Sequence, residues 1–264
     1  MQTQSSRADV TSAQKLNARM SANSNATRDF DEWCFRQLPT LPLPARLLDL
    51  GCGTGKQTQL FAPMFSPQSE IVGLDLSGDA LAQLREQYQG RAKLSLVEGS
   101  FDEMEKYPQL SEGSFDLIFG GYALYYTQNL GKLMEDSFRL LKPGGIFWNI
   151  SPYFGTNDEF LRILRPLHEV EAFMDYVFDE FHQEIIAHGE RIGFQSVKPA
   201  LLRNQIHFPS AEAFLKYLSN SLFYRPGHDE AILAEVQKVV AAQGSFAVSK
   251  NVISLQLQKP GAKS

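Results

Sequence analysis

The densest chemistry in the chain lies in the segment LLDLGCGTGKQ, residues 47–57. An apolar run ends at Asp49, and Gly51, Gly53 and Gly55 then turn the chain into a helix. Glycines at such a turn admit positive φ and let a ligand reach the backbone without meeting a Cβ. The helix that follows presents unpaired N–H donors. Two phosphate-binding patterns can be tested against it. A P-loop needs G-x-x-x-x-G-K-[ST]; counting back from Gly55–Lys56 puts its first glycine on Leu50, and Gln57 replaces the hydroxyl residue. A dinucleotide loop needs a third small residue after G-x-G, and here that residue is Lys56. The second chemical landmark is Asp75, which ends the apolar run EIVGLDL.

The DLGCGTG loop fits, at every position, the E/DxGxGxG loop of the class I S-adenosylmethionine-dependent methyltransferases, and the chain resembles that family over roughly residues 46–151. Asp75 stands where the family has an acidic residue for both ribose hydroxyls. Leu76 stands where it packs an apolar side chain on adenine. GSFDLIFGGYALYY is similar to the family's fourth strand and following loop, and LLKPGGIF to its turn into the fifth strand. The resemblance implies S-adenosylmethionine as cofactor, held by Asp49, Gly51, Cys52, Gly53, Gly55, Asp75, Leu76, Gly99, Ser100, Phe101 and Gly120. Asp49 is expected near the methionine amine, and Cys52 fills the loop without acting as a nucleophile. One position departs from the family. Many members carry an acid after the glycine of VEGSFDEM to accept from the adenine amine; here it is Ser100, a weaker neutral acceptor or else a plain turn residue.

Elements must position these groups. From Arg46 the sequence alternates apolar strand runs (RLLDL, EIVGLDL, KLSLVEG, FDLIFGG, GIFWNIS) with helical patterns such as SGDALAQLREQY, capped by Ser77. Such alternation predicts a parallel sheet covered on both faces. Residues 157–193 read mostly as helix. SVKPALLRNQIHF reads as a sixth strand, PSAEAFLKYLSNSLF and DEAILAEVQKVVAAQ as helices, and SKNVISLQLQKP as the final strand. The expected fold is α/β: a Rossmann-like, doubly wound, seven-stranded, mostly parallel sheet with an antiparallel last strand, plus helical lid insertions. The expected division is an N-terminal arm and lid helix (1–44), the core (45–209), a helical lid insert (210–243), and the last core strand with the C-terminal tail (244–264).

An acceptor would sit outside the carboxyl ends of the strands. The segments reaching that edge are aromatic, and the substrate candidates are Arg28, Trp33, Tyr122, Tyr125, Tyr153 and Tyr224. An oxygen acceptor needs proton removal; Tyr125 and His207 are the candidate catalytic residues, His207 because it ends the expected sixth strand. No two of the five histidines lie three or four residues apart, and two cysteines make no zinc site, so no metal is expected. The 264 residues are 43% hydrophobic and 21% charged, which excludes a wholly disordered chain. The net charge of −5, with scattered Lys and Arg, argues against nucleic acid as partner. No run is long enough for a membrane span, and the polar N-terminus lacks the apolar core of a secretory signal, so a cytoplasmic protein is expected. The function these readings favour is methyl transfer to a nitrogen or oxygen of a small-molecule acceptor in a lid-covered pocket. The alternatives are a methyltransferase for a protein or nucleic acid, or a nicotinamide-dependent oxidoreductase.

Overall fold

The computed structural model of the chain describes residues 26–196 and 199–262. Residues 1–25 of the expected arm, and Val197 and Lys198 of the expected sixth strand, lie outside the described residues. Contacts divide the chain into two compact units: Met1–Trp33, Tyr153–Phe178 and Leu202–Val252 form the first, and Cys34–Pro152, Asp179–Leu201 and Ile253–Ser264 the second.

The second unit contains the main sheet. Its strands are β1 (Arg46–Leu50), β2 (Glu70–Asp75), β3 (Lys93–Glu98), β4 (Phe115–Gly121), β5 (Leu141–Pro152), β6 (Gln195–Ser196), β7 (Ala200–Leu202) and β10 (Val252–Gln258). The order is β3-β2-β1-β4-β5-β10-β6, seven strands in one path, with the short β7 beside β10. β1 pairs in parallel with β2 and β4, β2 with β3, and β4 with β5. β10 runs antiparallel to β6. This is the seven-stranded, mostly parallel sheet expected from the sequence. β1 and β4 read as near-continuous apolar runs because helices cover both faces, and Leu47, Leu48, Leu50, Leu117 and Ile118 are fully buried. Trp148 on β5 packs between Phe61 and Phe119, at ring distances of 5.2 and 4.7 Å, and donates its indole N–H to Ser254 on β10 at 2.8 Å.

The helices of this unit that bear on the site are Lys56–Phe61 after β1, Gly78–Gln87 after β2, Leu130–Leu140 before β5, and Phe181–Ile192. Ser77 caps the second of these by accepting from the Ala80 N–H at 3.2 Å. Asn129 caps the third by accepting from the Lys132 N–H at 3.0 Å.

The first unit holds a separate two-stranded antiparallel sheet, β8 (Gln205–Phe208) with β9 (Phe246–Ser249). The helices Asp158–Leu164, Ala211–Leu218 and Asp229–Gln243 belong to the same unit. Its core is aromatic: Phe214 packs edge-on against Phe246 at 4.8 Å and Phe208 at 5.4 Å, and Phe160 against Phe223 at 5.2 Å.

Two sequence expectations change here. The sixth strand is three short pieces, of which only β6 and β7 join the main sheet. Pro199 between them has no N–H for the ladder. Asn204 spends its side chain on Thr27 and Arg28, whose hydroxyl and backbone N–H both donate to Asn204 Oδ1 at 2.9 Å. The final strand is likewise two, β9 in the small sheet and β10 in the main one. The compact units therefore group 153–178 with 202–252, whereas the sequence division drew its boundaries at 209/210 and 243/244.

Candidate functional site

The glycine loop, the end of β2 and the segments after β3 and β4 all lie in the second unit, at the carboxyl ends of the parallel strands. The loop is tied to β2 by the Gly51 N–H, which donates to the Leu74 carbonyl at 2.7 Å. It is tied again by the Gly53 N–H, which donates to Asp75 Oδ2 at 2.7 Å. The other oxygen, Asp75 Oδ1, accepts from the Ser77 N–H at 2.9 Å. Asp75 thus holds one carboxylate between the glycine turn and the start of the next helix.

The three loop glycines have different reasons to be glycine. All take positive φ, +69°, +51° and +83° for Gly51, Gly53 and Gly55. A Cβ on Gly51 would lie 2.3 Å from Ala123 Cβ and 3.7 Å from the Phe101 ring, and one on Gly55 would lie 2.1 Å from Leu84. A Cβ on Gly53 would meet nothing within 4 Å. Gly51 and Gly55 are therefore packing positions, and Gly53 carries the bare backbone that faces open space. Beside it, Leu76 is 71% exposed, an apolar side chain following directly on a carboxylate-bearing residue at a strand end.

Asp49 is buried below the loop, and the Thr58 hydroxyl donates to its Oδ2 at 2.5 Å. Burial pushes the Asp49 carboxyl from 3.8 up to about 7; the Thr58 bond pulls it down and the Asp75 charge pushes it further up. Cys52 packs with Leu81 and Leu84, and burial, with the Asp49 and Asp75 charges, holds its thiol well above the usual range. A protonated, enclosed thiol is a filler and no nucleophile.

After β3, the Ser100 hydroxyl accepts from the Asp102 N–H at 3.1 Å, and the Ser100 N–H donates to the Tyr107 hydroxyl at 2.8 Å. A Cβ on Gly99 would lie 2.0 Å from that same hydroxyl, so a side chain there would displace the Tyr107 ring tip. After β4, a Cβ on Gly120 would meet the Leu124 side chain at 2.4 Å, so its glycine answers to packing. Tyr122 has φ +59°, a left-handed conformation that costs an aromatic residue about 1–2 kcal/mol. Its N–H donates to the Ile150 carbonyl at 2.8 Å, and the side chain is 37% exposed. Tyr125 packs against Tyr126 at 4.7 Å with the rings tilted by 54° and meets Phe181 edge-on at 5.9 Å.

Of the residues expected from sequence, the structure brings Asp49, Gly51, Cys52, Gly53, Gly55, Asp75, Leu76, Gly99, Ser100, Phe101, Gly120, Tyr122 and Tyr125 into one unit. Arg28, Trp33, Tyr153 and Tyr224 belong to the first unit. There the Arg28 carbonyl accepts from Asn204, Trp33 packs on Phe30 at 6.0 Å, the Tyr153 N–H donates to the Asn251 carbonyl, and the Tyr224 hydroxyl donates to Asp229. His207 is a correction: it lies on β8 of the small sheet, opposite Ala247, with Nδ1 3.3 Å from the Ser245 hydroxyl. It does not end a strand of the main sheet, so the reason for reading it as a base falls away. Thr58, Tyr107, Asp102 and Thr127 were missed. A threonine inside a helix and a tyrosine in a polar turn carry no sequence signal of their own. Ser-x-Asp after a strand marks a capped turn but not the direction of the carboxylate. Among the described residues no cluster of three His, Cys, Asp or Glu could hold a metal.

The family model described as a methyltransferase domain matches residues 48–149. The malonyl-[acyl-carrier protein] O-methyltransferase of Legionella pneumophila is 34% identical over 168 residues, 55% of this chain and 56% of that protein. The trans-aconitate 2-methyltransferase of Deinococcus radiodurans is 35% identical over 102 residues, 39% of this chain and 36% of that protein. The chain thus spans about half or less of these curated relatives. A crystal structure of a methyltransferase candidate from Bacillus halodurans C-125 superposes with a TM-score of 0.61 at 16% identity, covering 88% of this chain and 100% of that one, which shows a shared fold. The bare backbone at Gly53, the Asp75 carboxylate and the exposed Leu76 fit the ribose and adenine of the family's cofactor. Residues 48–149, which carry the whole glycine loop and most of the sheet from β1 to β5, thus match a methyltransferase domain, and the chain is similar to S-adenosylmethionine-dependent methyltransferases over that span.

Proposed function

We propose that the chain transfers a methyl group from S-adenosylmethionine to a nitrogen or oxygen of a small-molecule acceptor. The observation that carries the reading is the open face over Gly53, flanked by Asp75 and by Leu76. When bound, the cofactor supplies an electrophilic methyl group on a sulfonium. The work of the chain's own residues is to bind and orient. Asp75 accepts from the ribose hydroxyls with the lone pairs left by Gly53 and Ser77. Leu76 and Phe101 offer apolar faces to the adenine, and Ser100 offers a hydroxyl oxygen to its amine. Asp49 meets the methionine ammonium. Tyr122 and Tyr125 form the acceptor side. Strain at Tyr122 supports this, since backbone held in a disfavoured region clusters at functional positions.

A small acceptor is supported by the acidic balance and by the relatives, whose names give trans-aconitate and a malonyl group borne on a carrier protein as acceptors. No helix among the described residues is long and apolar enough to cross a membrane. The test is incubation with methyl-labelled S-adenosylmethionine and a panel of small amines, phenols, carboxylic acids and acyl carrier protein thioesters, read by mass. The expected result is label in one chemical class, reduced in Asp75→Ala at subsaturating S-adenosylmethionine. Label in proteins or nucleic acid of a cell extract and in none of the panel would overturn the small-molecule reading.

A further inference from the structure

We propose that Asp102 is a positioning residue that couples the segment after β3 to the segment after β4, so that cofactor binding orders the acceptor side of the site. The proposal rests on the cofactor reading given above.

Asp102 sits in the short turn Phe101–Lys106 and is bonded in two directions. Its N–H donates to the Ser100 hydroxyl at 3.1 Å, which fixes it to the residues proposed to meet adenine. Its carboxylate turns away from them. Oδ2 accepts from the Gln128 N–H at 3.1 Å, and Oδ1 accepts from the Thr127 hydroxyl. Thr127 Oγ1 in turn accepts from the Asn129 N–H at 3.2 Å, and Asn129 caps the helix Leu130–Leu140. One continuous hydrogen-bonded path therefore runs from Ser100 to the start of that helix. It enters the second segment directly after the turn Leu124–Tyr126, whose last carbonyl-to-amide bond is the Thr127 N–H to Leu124 at 3.1 Å. That turn carries Tyr125.

The two segments also approach the glycine loop together: a Cβ on Gly51 would clash with Ala123 at 2.3 Å and would lie in ordinary contact, 3.7 Å, with the Phe101 ring. A ligand that fixes Ser100 and Phe101 thus fixes Asp102, and through its charge-assisted bonds the backbone at 127–128. A second link between the segments, the Glu105–Lys132 ion pair at 2.7 Å, is exposed, and exposed pairs constrain little.

The experiment is hydrogen–deuterium exchange on the full chain with and without S-adenosylhomocysteine, with its Kd measured by calorimetry. In the wild type, ligand is expected to slow exchange both at 99–103 and at 122–129. Thr127→Val removes the hydroxyl at nearly constant volume. It should keep the slowing at 99–103 while reducing that at 122–129 by about threefold to tenfold, the range of one net hydrogen bond. Thr127→Ser should restore the wild-type response, and Glu105→Gln should leave it intact. Should Thr127→Val fail to fold, Asp102→Asn, which keeps the size and the capping N–H, is read the same way. Ligand slowing at 122–129 that survives Thr127→Val at the wild-type value, or is lost equally in Glu105→Gln, overturns the bridge. Absence of any S-adenosylhomocysteine binding by the wild type overturns the cofactor reading instead.

Discussion

The Thr58 hydroxyl donates to the Asp49 carboxylate at 2.5 Å, with both side chains buried. Burial raises the Asp49 pKa from 3.8 to about 7 against that bond. The sign of the consequence follows from proton counting. Between the unfolded and folded values the native state holds the proton and the unfolded state does not, so this group's contribution to stability falls as pH rises from about 4 to about 7. Asp49→Asn keeps an acceptor for Thr58 and removes the charge. It should stabilise the ligand-free protein at pH 8, by an amount on the order of 1–4 kcal/mol, and change little at pH 4. Melting temperatures at the two pH values check this; an equal shift at both contradicts it.

The same group links pH to the cofactor. A ligand ammonium beside Asp49 favours the carboxylate, so binding near pH 6 should release a proton. S-adenosylhomocysteine should bind more tightly from pH 6 to pH 7, by up to about tenfold, and Asp49→Asn should flatten the dependence. Calorimetry in buffers of different ionisation enthalpy reads the released proton. Adenosine, which lacks the ammonium, should show none.

Gly51 and Gly53 are predicted to separate folding from binding. Gly53→Ala meets no atom within 4 Å and should lose only about 1–2 kcal/mol of stability, the cost of its positive φ, while cofactor affinity collapses. Gly51→Ala drives its Cβ to 2.3 Å from Ala123 and should destabilise the fold far more. Denaturation midpoints beside Kd values distinguish the two; equal effects on both would remove the distinction.

These glycines show how far the sequence could be read. The loop spacing, Asp75 and the alternating strand and helix periods are local signals, and they located β1 to β5 and the glycine loop that Asp75 holds. Which glycine is bare and which is packed depends on Ala123 and Leu84, far away in sequence. The path from Ser100 to Thr127 joins segments 27 residues apart by side chains that are individually unremarkable turn residues. The small sheet was missed for a related reason. β8 and β9 have ordinary strand patterns, and the break at Lys250 and Asn251 depends on bonds from the Lys250 N–H to Asn204 and from Asn251 to Phe154.

Ser100 should behave as a cap first. Ser100→Ala removes the acceptor for the Asp102 N–H and should cost about 1 kcal/mol of stability, with a modest loss of cofactor affinity. Ser100→Asp keeps a good cap and adds a carboxylate near the adenine amine, so affinity should hold or tighten. Equal affinity in all three proteins would place the reading of adenine on the backbone around Phe101.

The central claim is that the edge formed by Gly53 and Asp75 holds S-adenosylmethionine, and calorimetry on the wild type and Asp75→Ala tests it most directly. The wild type should bind S-adenosylmethionine in the micromolar range, on the order of −8 kcal/mol, and bind NAD much more weakly. Asp75→Ala should lose about 1–3 kcal/mol, because a charged acceptor disappears. Unchanged affinity in Asp75→Ala, together with tight NAD binding by the wild type, would contradict the account.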